Sequence, residues 1–168
     1  VRCIADTAPG PRVAPSPSDR PAVTLRGLRP SDVPFVAAIV ADALHEHYDP
    51  SLYLSLSAEW PEGFLVGADS HDVPVSFLLG VSQVEHEARI LMFAVDRNRR
   101  MAGIGQLLME TFFERCKARG YRRVTLEVRV SNATAIRFYT RFQYSVVDLL
   151  RGYYSDGENG YQMARPLQ

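Results

Sequence analysis

The segment Arg100-Met101-Ala102-Gly103-Ile104-Gly105-Gln106 places a guanidinium and two glycines just ahead of a helical pattern. A helix N-terminus leaves backbone N–H groups without intrahelical partners and carries partial positive charge. Glycine lets a ligand come close to the backbone, so the segment suits a pyrophosphate. Arg97 and Arg99 stand nearby and can add charge. Two other phosphate loops fit poorly. A dinucleotide fingerprint needs a third glycine where this chain has Leu108, and a P-loop needs Lys where it has Gln106. The pattern that fits throughout is R-x-x-G-x-G, against the alternative of a glycine-rich turn that binds nothing.

Downstream, Val124, Leu126 and Val128 alternate with Thr125, Glu127 and Arg129, as in a strand with one apolar face. A carboxylate on the other face, partly buried beside a cleft, can serve as a general base. The competing reading pairs Glu127 with Arg129 or Arg122 on a wet sheet face. Tyr139 falls at helical spacing with Ile136 and Phe142, so it is either a core aromatic or a phenol whose hydroxyl reaches a cleft. His45, His47, His71 and His86 show no metal-ligand spacing, and Cys3 and Cys116 form no zinc motif. Cys116 lies on the apolar face of a helix, an unsuitable place for a nucleophile.

The elements that must position these groups follow from periodicity. Short strands are expected at Val23–Leu28 and Phe64–Val66, and longer ones at Val73–Val84 and Ala88–Val95. Helices are expected over Val33–Ala43, behind Pro30-Ser31-Asp32, and near 51–59 behind Asp49-Pro50. Ile104, Leu107, Leu108, Phe112 and Cys116 mark a helix face that Gly120 closes. A strand around Val124–Val128, a helix over Asn132–Phe142 and strands at Tyr144–Leu150 and Tyr161–Ala164 complete an α+β (mixed α/β) chain.

Lys+Arg and Asp+Glu both number 19, which gives no sign of a nucleic-acid or membrane partner. No apolar run approaches the roughly 18 residues of a membrane span, and the N-terminus lacks a secretory apolar stretch, so a cytoplasmic protein is expected. Residues 1–21, with Pro9, Pro11, Pro15, Pro17 and Pro21, read as a flexible arm ahead of one domain over 22–168.

Residues 126–139, LEVRVSNATAIRFY, resemble the strand and helix after the CoA loop of bacterial ribosomal-protein alanine N-acetyltransferases. The later Y-Y-x-D-G-E segment and Leu44-His45-Glu46-His47-Tyr48 resemble the catalytic subunit of N-terminal acetyltransferase A. With R-x-x-G-x-G, these motifs are similar to those of the GNAT superfamily over Val23–Leu167. That resemblance implies a GNAT fold: a mixed, mostly antiparallel sheet of six or seven strands with about four helices.

It also implies acetyl-CoA as cosubstrate, no metal, and the α-amine of a protein or peptide N-terminus as acceptor, attacked directly in a ternary complex. Phe93, Ala94 and Val95 would pair with the pantetheine arm. Backbone N–H groups of Met101, Ala102, Gly103, Ile104, Gly105 and Gln106 would hold the pyrophosphate beside Arg100, with Asn132 touching the cofactor. Glu127 would be the base and Tyr139 the acid that protonates the thiolate. Glu46 would position or deprotonate the amine, and Tyr48, Tyr153 and Tyr154 would clasp the peptide. Each of these four has a plainer reading, as a loop carboxylate or as packing. Many family members carry Gly where this chain has Met101 and Gln143. Partnership as a homodimer or with an auxiliary subunit stays open, as do lysine, polyamine or small-molecule acceptors and a non-catalytic CoA-binding domain.

Overall fold

The computed structural model describes residues 22–168, so the arm expected over 1–21 lies outside the described residues. The chain runs β1 (Thr24–Gly27), α1 (Val33–Leu44), α2 (Pro50–Glu59), β2 (Phe64–Ala68), β3 (Pro74–Val84), β4 (Glu87–Val95), α3 (Ile104–Ala118), β5 (Arg123–Arg129), α4 (Ala133–Arg141), β6 (Ser145–Leu150) and β7 (Gly160–Pro166). The strands form one seven-stranded sheet in the order β1-β2-β3-β4-β5-β7-β6. Only β4 and β5 run parallel; every other neighbouring pair is antiparallel. This is the mixed, mostly antiparallel sheet with four helices that the sequence predicts.

Local chemistry sets the helix ends. Asp49 caps α2 by accepting from the Ser51 N–H at 2.8 Å, and Pro50 supplies a fixed φ in the first turn. Asn132 caps α4 through the Ala135 N–H at 3.0 Å. After α3, Gly120 takes φ +84° and donates to the Lys117 carbonyl at 2.9 Å, while Tyr121 donates to Cys116 at 3.0 Å. That pair satisfies carbonyls that the helix would otherwise leave open.

The sheet has a core on each face. Ala88, Ile90 and Phe93 of β4 join α3, α4 and the apolar face of β5 in one cluster. Leu91, Met92 and Ala94 join α1 and Tyr53 of α2 in the other. β4 serves both because its side chains alternate between the faces, and a bulge shifts the phase: Leu79 pairs with Met92 but Gly80 pairs with Ile90, so Leu91 is extra and falls on the same face as Met92. Each fully buried Leu, Met or Phe in these layers contributes about 1.5–3 kcal/mol.

The entry to α1 is held by a buried carboxylate. Arg26 donates to both oxygens of Asp32, at 2.6 and 3.0 Å, and the Arg29 N–H donates at 2.7 Å. Burial alone would push the Asp32 carboxyl up, but the bonds from Arg26 and Arg29 outweigh it and hold it below the usual carboxylate range. A depressed carboxyl stabilises the fold fully above its unfolded value of about 3.9 and loses that contribution as pH falls further. Asp32→Asn is therefore expected to cost about 2 kcal/mol at pH 7. Urea titrations of both proteins at neutral and acid pH should show the gap closing below about pH 4; a gap that stays constant would sink this assignment.

Candidate active site

The parallel ladder between β4 and β5 is short. Glu87 pairs with Arg123, Ala88 with Val124 and Arg89 with Thr125, and there it stops. Beyond that point the two strands diverge. Phe93, Ala94 and Val95 remain laddered to β3, through Leu78, Phe77 and Ser76, and present their other edge to the gap. A seven-stranded sheet thus contains, at its centre, a stretch of strand edge facing an opening.

At the C-terminal end of β4 the chain turns through a short 3-10 segment, Arg97–Arg99, and enters α3. Met101 and Gly103 both adopt left-handed φ, at +68° and +76°. The first bond of α3 runs from the Leu107 N–H to the Gly103 carbonyl at 3.1 Å. The N–H groups of Ile104, Gly105 and Gln106 precede it and have no intrahelical acceptor. The two glycines do different jobs. Gly103 supplies the backbone turn, whereas a Cβ on Gly105 would lie 3.3 Å from the Phe93 ring and 3.6 Å from Phe138, so Gly105 lets α3 pack close to β4. Met101 and Gln143 (φ +64°) occupy left-handed conformations that glycine adopts at least cost.

The three neighbouring arginines separate by partner. Arg97 is ion-paired with Asp42 of α1, and Arg99 with Asp69 at 3.3 Å. Both pairs brace the loop against the α1 side. Arg100 instead sits half-buried with its Nε donating to the Val95 carbonyl at 3.2 Å, at the mouth of the gap.

Glu127 lies on β5 two residues past the last β4–β5 rung and is only 7% exposed. It is paired, though with neither Arg129 nor Arg122. Arg89 of β4 donates to Glu127 Oε2 from Nε at 2.8 Å, and its Nη2 lies 2.8 Å from the same oxygen. The Nη2 also donates to the Tyr153 hydroxyl at 3.2 Å. Arg89, Glu127 and Tyr153 line a cavity of about 340 Å³ together with Glu87, Thr125 and Gln162. Arg89 escaped the sequence reading because Ala88–Val95 looked like a continuous apolar run. The signal lay one step earlier, where Glu87 and Arg89 alternate with Ala88 and Ile90.

Arg129 is committed elsewhere. It pairs with Asp156 at 2.8 Å and with Glu158, and its guanidinium stacks 4.1 Å from the Tyr154 ring centre. Tyr154 is 5% exposed beneath that stack, while Tyr153, edge-on to it, is 38% exposed at the cavity. The same turn therefore buries one tyrosine and presents the other.

Glu46 and Tyr48 come together in the α1–α2 connection, which begins at His45 in a left-handed cap (φ +54°). The Tyr48 hydroxyl donates to a Glu46 carboxylate oxygen. Tyr53, fully buried on α2, has its phenol pushed up by burial and then by the Glu46 charge, so it stays protonated. Tyr53 is a second polar side chain of this region that the sequence reading passed over, because its helical spacing reads as core.

Tyr139 is fully buried on α4, in the cluster of the α3–α4 face, with ring centres 5.5 Å from Phe138 and 5.7 Å from Tyr144. Glu127, on the face of β5 opposite Leu126 and Val128, thus lies on the other side of the sheet from Tyr139. Asn132 uses its side-chain oxygen for the α4 cap, leaving its amide N–H groups toward other partners. Cys116 is buried, and burial pushes its thiol far up, so it remains a protonated core residue.

A helix N-terminus at the mouth of a parted sheet, with a buried carboxylate at the fork, is an arrangement that suits a phosphate-bearing donor. Residues 33–144 match the Acetyltransferase (GNAT) family. The chain belongs to that family and is an acyltransferase. An N-alpha-acetyltransferase of Sulfolobus acidocaldarius is 32% identical over 149 residues, covering 82% of this chain and 88% of that protein. Ard1 from Thermoplasma volcanium superposes with a TM-score of 0.83 at 39% identity, covering 88% of this chain and 99% of that one. The ribosomal-protein-S18-alanine N-acetyltransferase from Escherichia coli gives 0.74 at 26% identity, with 87% and 94% covered.

Proposed function

We propose that this chain acetylates the α-amine of a protein or peptide N-terminus, using acetyl-CoA and direct attack in a ternary complex. The observation that carries the reading is Glu127, a nearly buried carboxylate at the fork of β4 and β5 beside a polar cavity open enough for a chain terminus. The names of the archaeal relatives agree with it.

Acetyl-CoA supplies the acyl group as a thioester. The N–H groups over Met101–Gln106 and the Arg100 guanidinium suit its pyrophosphate, and the open edge of Phe93, Ala94 and Val95 suits its amide-bearing arm. Asn132 offers amide donors from the head of α4. On the acceptor side, Glu127 takes the proton that the attacking ammonium must lose, directly or through water. Glu46, held by Tyr48, orients that amine from the α1–α2 connection. Tyr153 closes the cavity from the opposite loop, and Tyr154 holds Tyr153 in place from below. The Tyr139 hydroxyl, from across the gap, returns a proton to the leaving sulfur. Cys116 takes no part, so no acyl-enzyme forms.

Among the described residues no helix is long and apolar enough to cross a membrane; we place the enzyme in the cytoplasm, alone or with an auxiliary subunit. The experiment is free-CoA release across peptides that differ at residue one, with Nα-blocked, lysine-containing controls and polyamines. Release confined to free N-termini is expected, and release with blocked lysine peptides would overturn the proposal. Tyr139→Phe is expected to lower kcat about a hundredfold, the low end for a general acid, with acetyl-CoA affinity unchanged. An unaltered kcat, measured at saturating substrates, would remove Tyr139 from the acid role.

A further inference from the structure

We infer that Arg89 is a specificity-determining residue of the acceptor cavity, one that excludes polycationic amines by neutralising Glu127. The inference rests on the reading of that cavity as the acceptor site.

The charge arrangement is the starting point. Two carboxylates line the cavity, Glu87 and Glu127. A cavity walled by unpartnered carboxylates would draw in spermidine and similar polyamines, which carry several ammonium groups. Here each carboxylate has a guanidinium partner. Glu87 lies 3.6 Å from Arg123 and accepts from the Thr125 hydroxyl at 3.1 Å. Glu127 has Arg89, with two nitrogens on a single oxygen at 2.8 Å.

The two pairs differ in strength. The Arg123 side chain is 46% exposed, so water screens its pair with Glu87. Arg89 and Glu127 are 19% and 8% exposed, so their pair sits in a lower-dielectric setting where a missing partner is felt strongly. Arg89 is also tethered to Tyr153, which keeps its charge at the cavity rather than swinging into solvent.

The geometry leaves Oε1 of Glu127 for one incoming amine. Both guanidinium contacts fall on Oε2. A chain terminus brings one ammonium and meets Oε1. A second ammonium a few ångströms behind it meets Arg89, and like charges brought together in a partly buried site cost enough to discriminate between acceptors. Arg89 acts here by repulsion toward the wrong substrate, independently of any attraction toward the right one.

The test compares wild type, Arg89→Gln, Glu127→Gln, the double variant of these two and Arg89→Lys. Spermidine dissociation constants come from calorimetry, and kcat/KM is measured for spermidine and for a peptide with an uncharged first residue. Arg89→Gln leaves Glu127 unpaired and is expected to bind spermidine about tenfold more tightly or better. Its spermidine-to-peptide ratio of kcat/KM should rise by a similar factor. The double variant is neutral again and should bind spermidine no more tightly than wild type. Glu127→Gln removes the carboxylate and should bind it more weakly, and Arg89→Lys, which keeps the positive charge, should bind it as wild type does; if Arg89→Gln fails to fold, Arg89→Lys binding spermidine about tenfold more tightly would overturn the inference.

A loss of packing alone would lower both acceptors together. Unchanged spermidine affinity in a folded Arg89→Gln protein, or affinity in Glu127→Gln equal to wild type, would overturn the inference. The binding arm needs no turnover. If the predicted affinities appear while no peptide N-terminus is acetylated, Arg89 keeps its role and the N-terminal acceptor reading falls.

Discussion

Glu127→Gln is expected to lower kcat by a factor of about 10² to 10⁴, the usual contribution of a general base, with the acetyl-CoA dissociation constant unchanged. The substitution is nearly isosteric. Its side-chain oxygen can still accept from Arg89, so the bridge between β4 and β5 is weakened rather than removed. What disappears is the capacity to take a proton from the acceptor at the fork of the strands. On the proposed reading, cofactor binding draws on a different region, the α3 N-terminus and the edge of Phe93–Val95, which lie C-terminal to Arg89 along β4. Single-turnover acetylation alongside calorimetric titration with acetyl-CoA separates the two quantities. If kcat falls less than about threefold, far below that usual contribution, the base is Glu46 or solvent.

Arg100→Ala should show the opposite signature: an acetyl-CoA dissociation constant raised about ten- to a hundred-fold, as loss of a charge-assisted contact implies, and little change in kcat at saturation. Two effects combine. The variant loses a guanidinium that Arg97 and Arg99 cannot replace, because Asp42 and Asp69 hold them. It also loses the brace from Arg100 Nε to the Val95 carbonyl, which ties the loop to the strand it leaves. Equal effects of Arg100→Ala and Glu127→Gln on acetyl-CoA affinity would remove Arg100 from the phosphate site.

The elements were legible because their signals are local. The alternation of Val124, Leu126 and Val128 became β5, and the Asp49-Pro50 and Gly120 signals became helix ends within a residue or two. The glycine-bearing turn into α3 was legible for the same reason: R-x-x-G-x-G is contiguous. The partner of Glu127 was not. Arg89 stands 38 positions away, and only the parallel β4–β5 register brings it there. Sequence proximity pointed to Arg129 instead, which the tertiary fold hands to Asp156 and Glu158. The bulge at Leu91 was equally hidden, since an apolar run buried on both faces has no alternation to interrupt. Tyr153 and Tyr154 are adjacent and chemically identical, yet one is presented and one is buried because Arg129 stacks on the second.

The short β4–β5 ladder has a mechanical meaning. The sheet consists of two antiparallel blocks, β1 to β4 and β5 to β7; among the described residues a short parallel ladder, Glu87–Arg123, Ala88–Val124 and Arg89–Thr125, joins them, extended at its start by the Arg122 N–H donating to the His86 carbonyl at 2.8 Å. The rest of the join is made by the side-chain bridges Arg89–Glu127 and Glu87–Arg123 and by the core that α3 and α4 share beneath both blocks. On the proposed reading, a donor lying in the gap, hydrogen-bonded to β4 and resting on α3, would take the place of the missing rungs. The cosubstrate would then be a keystone as well as a reactant, and the protein's resistance to unfolding a gauge of how much acyl donor surrounds it.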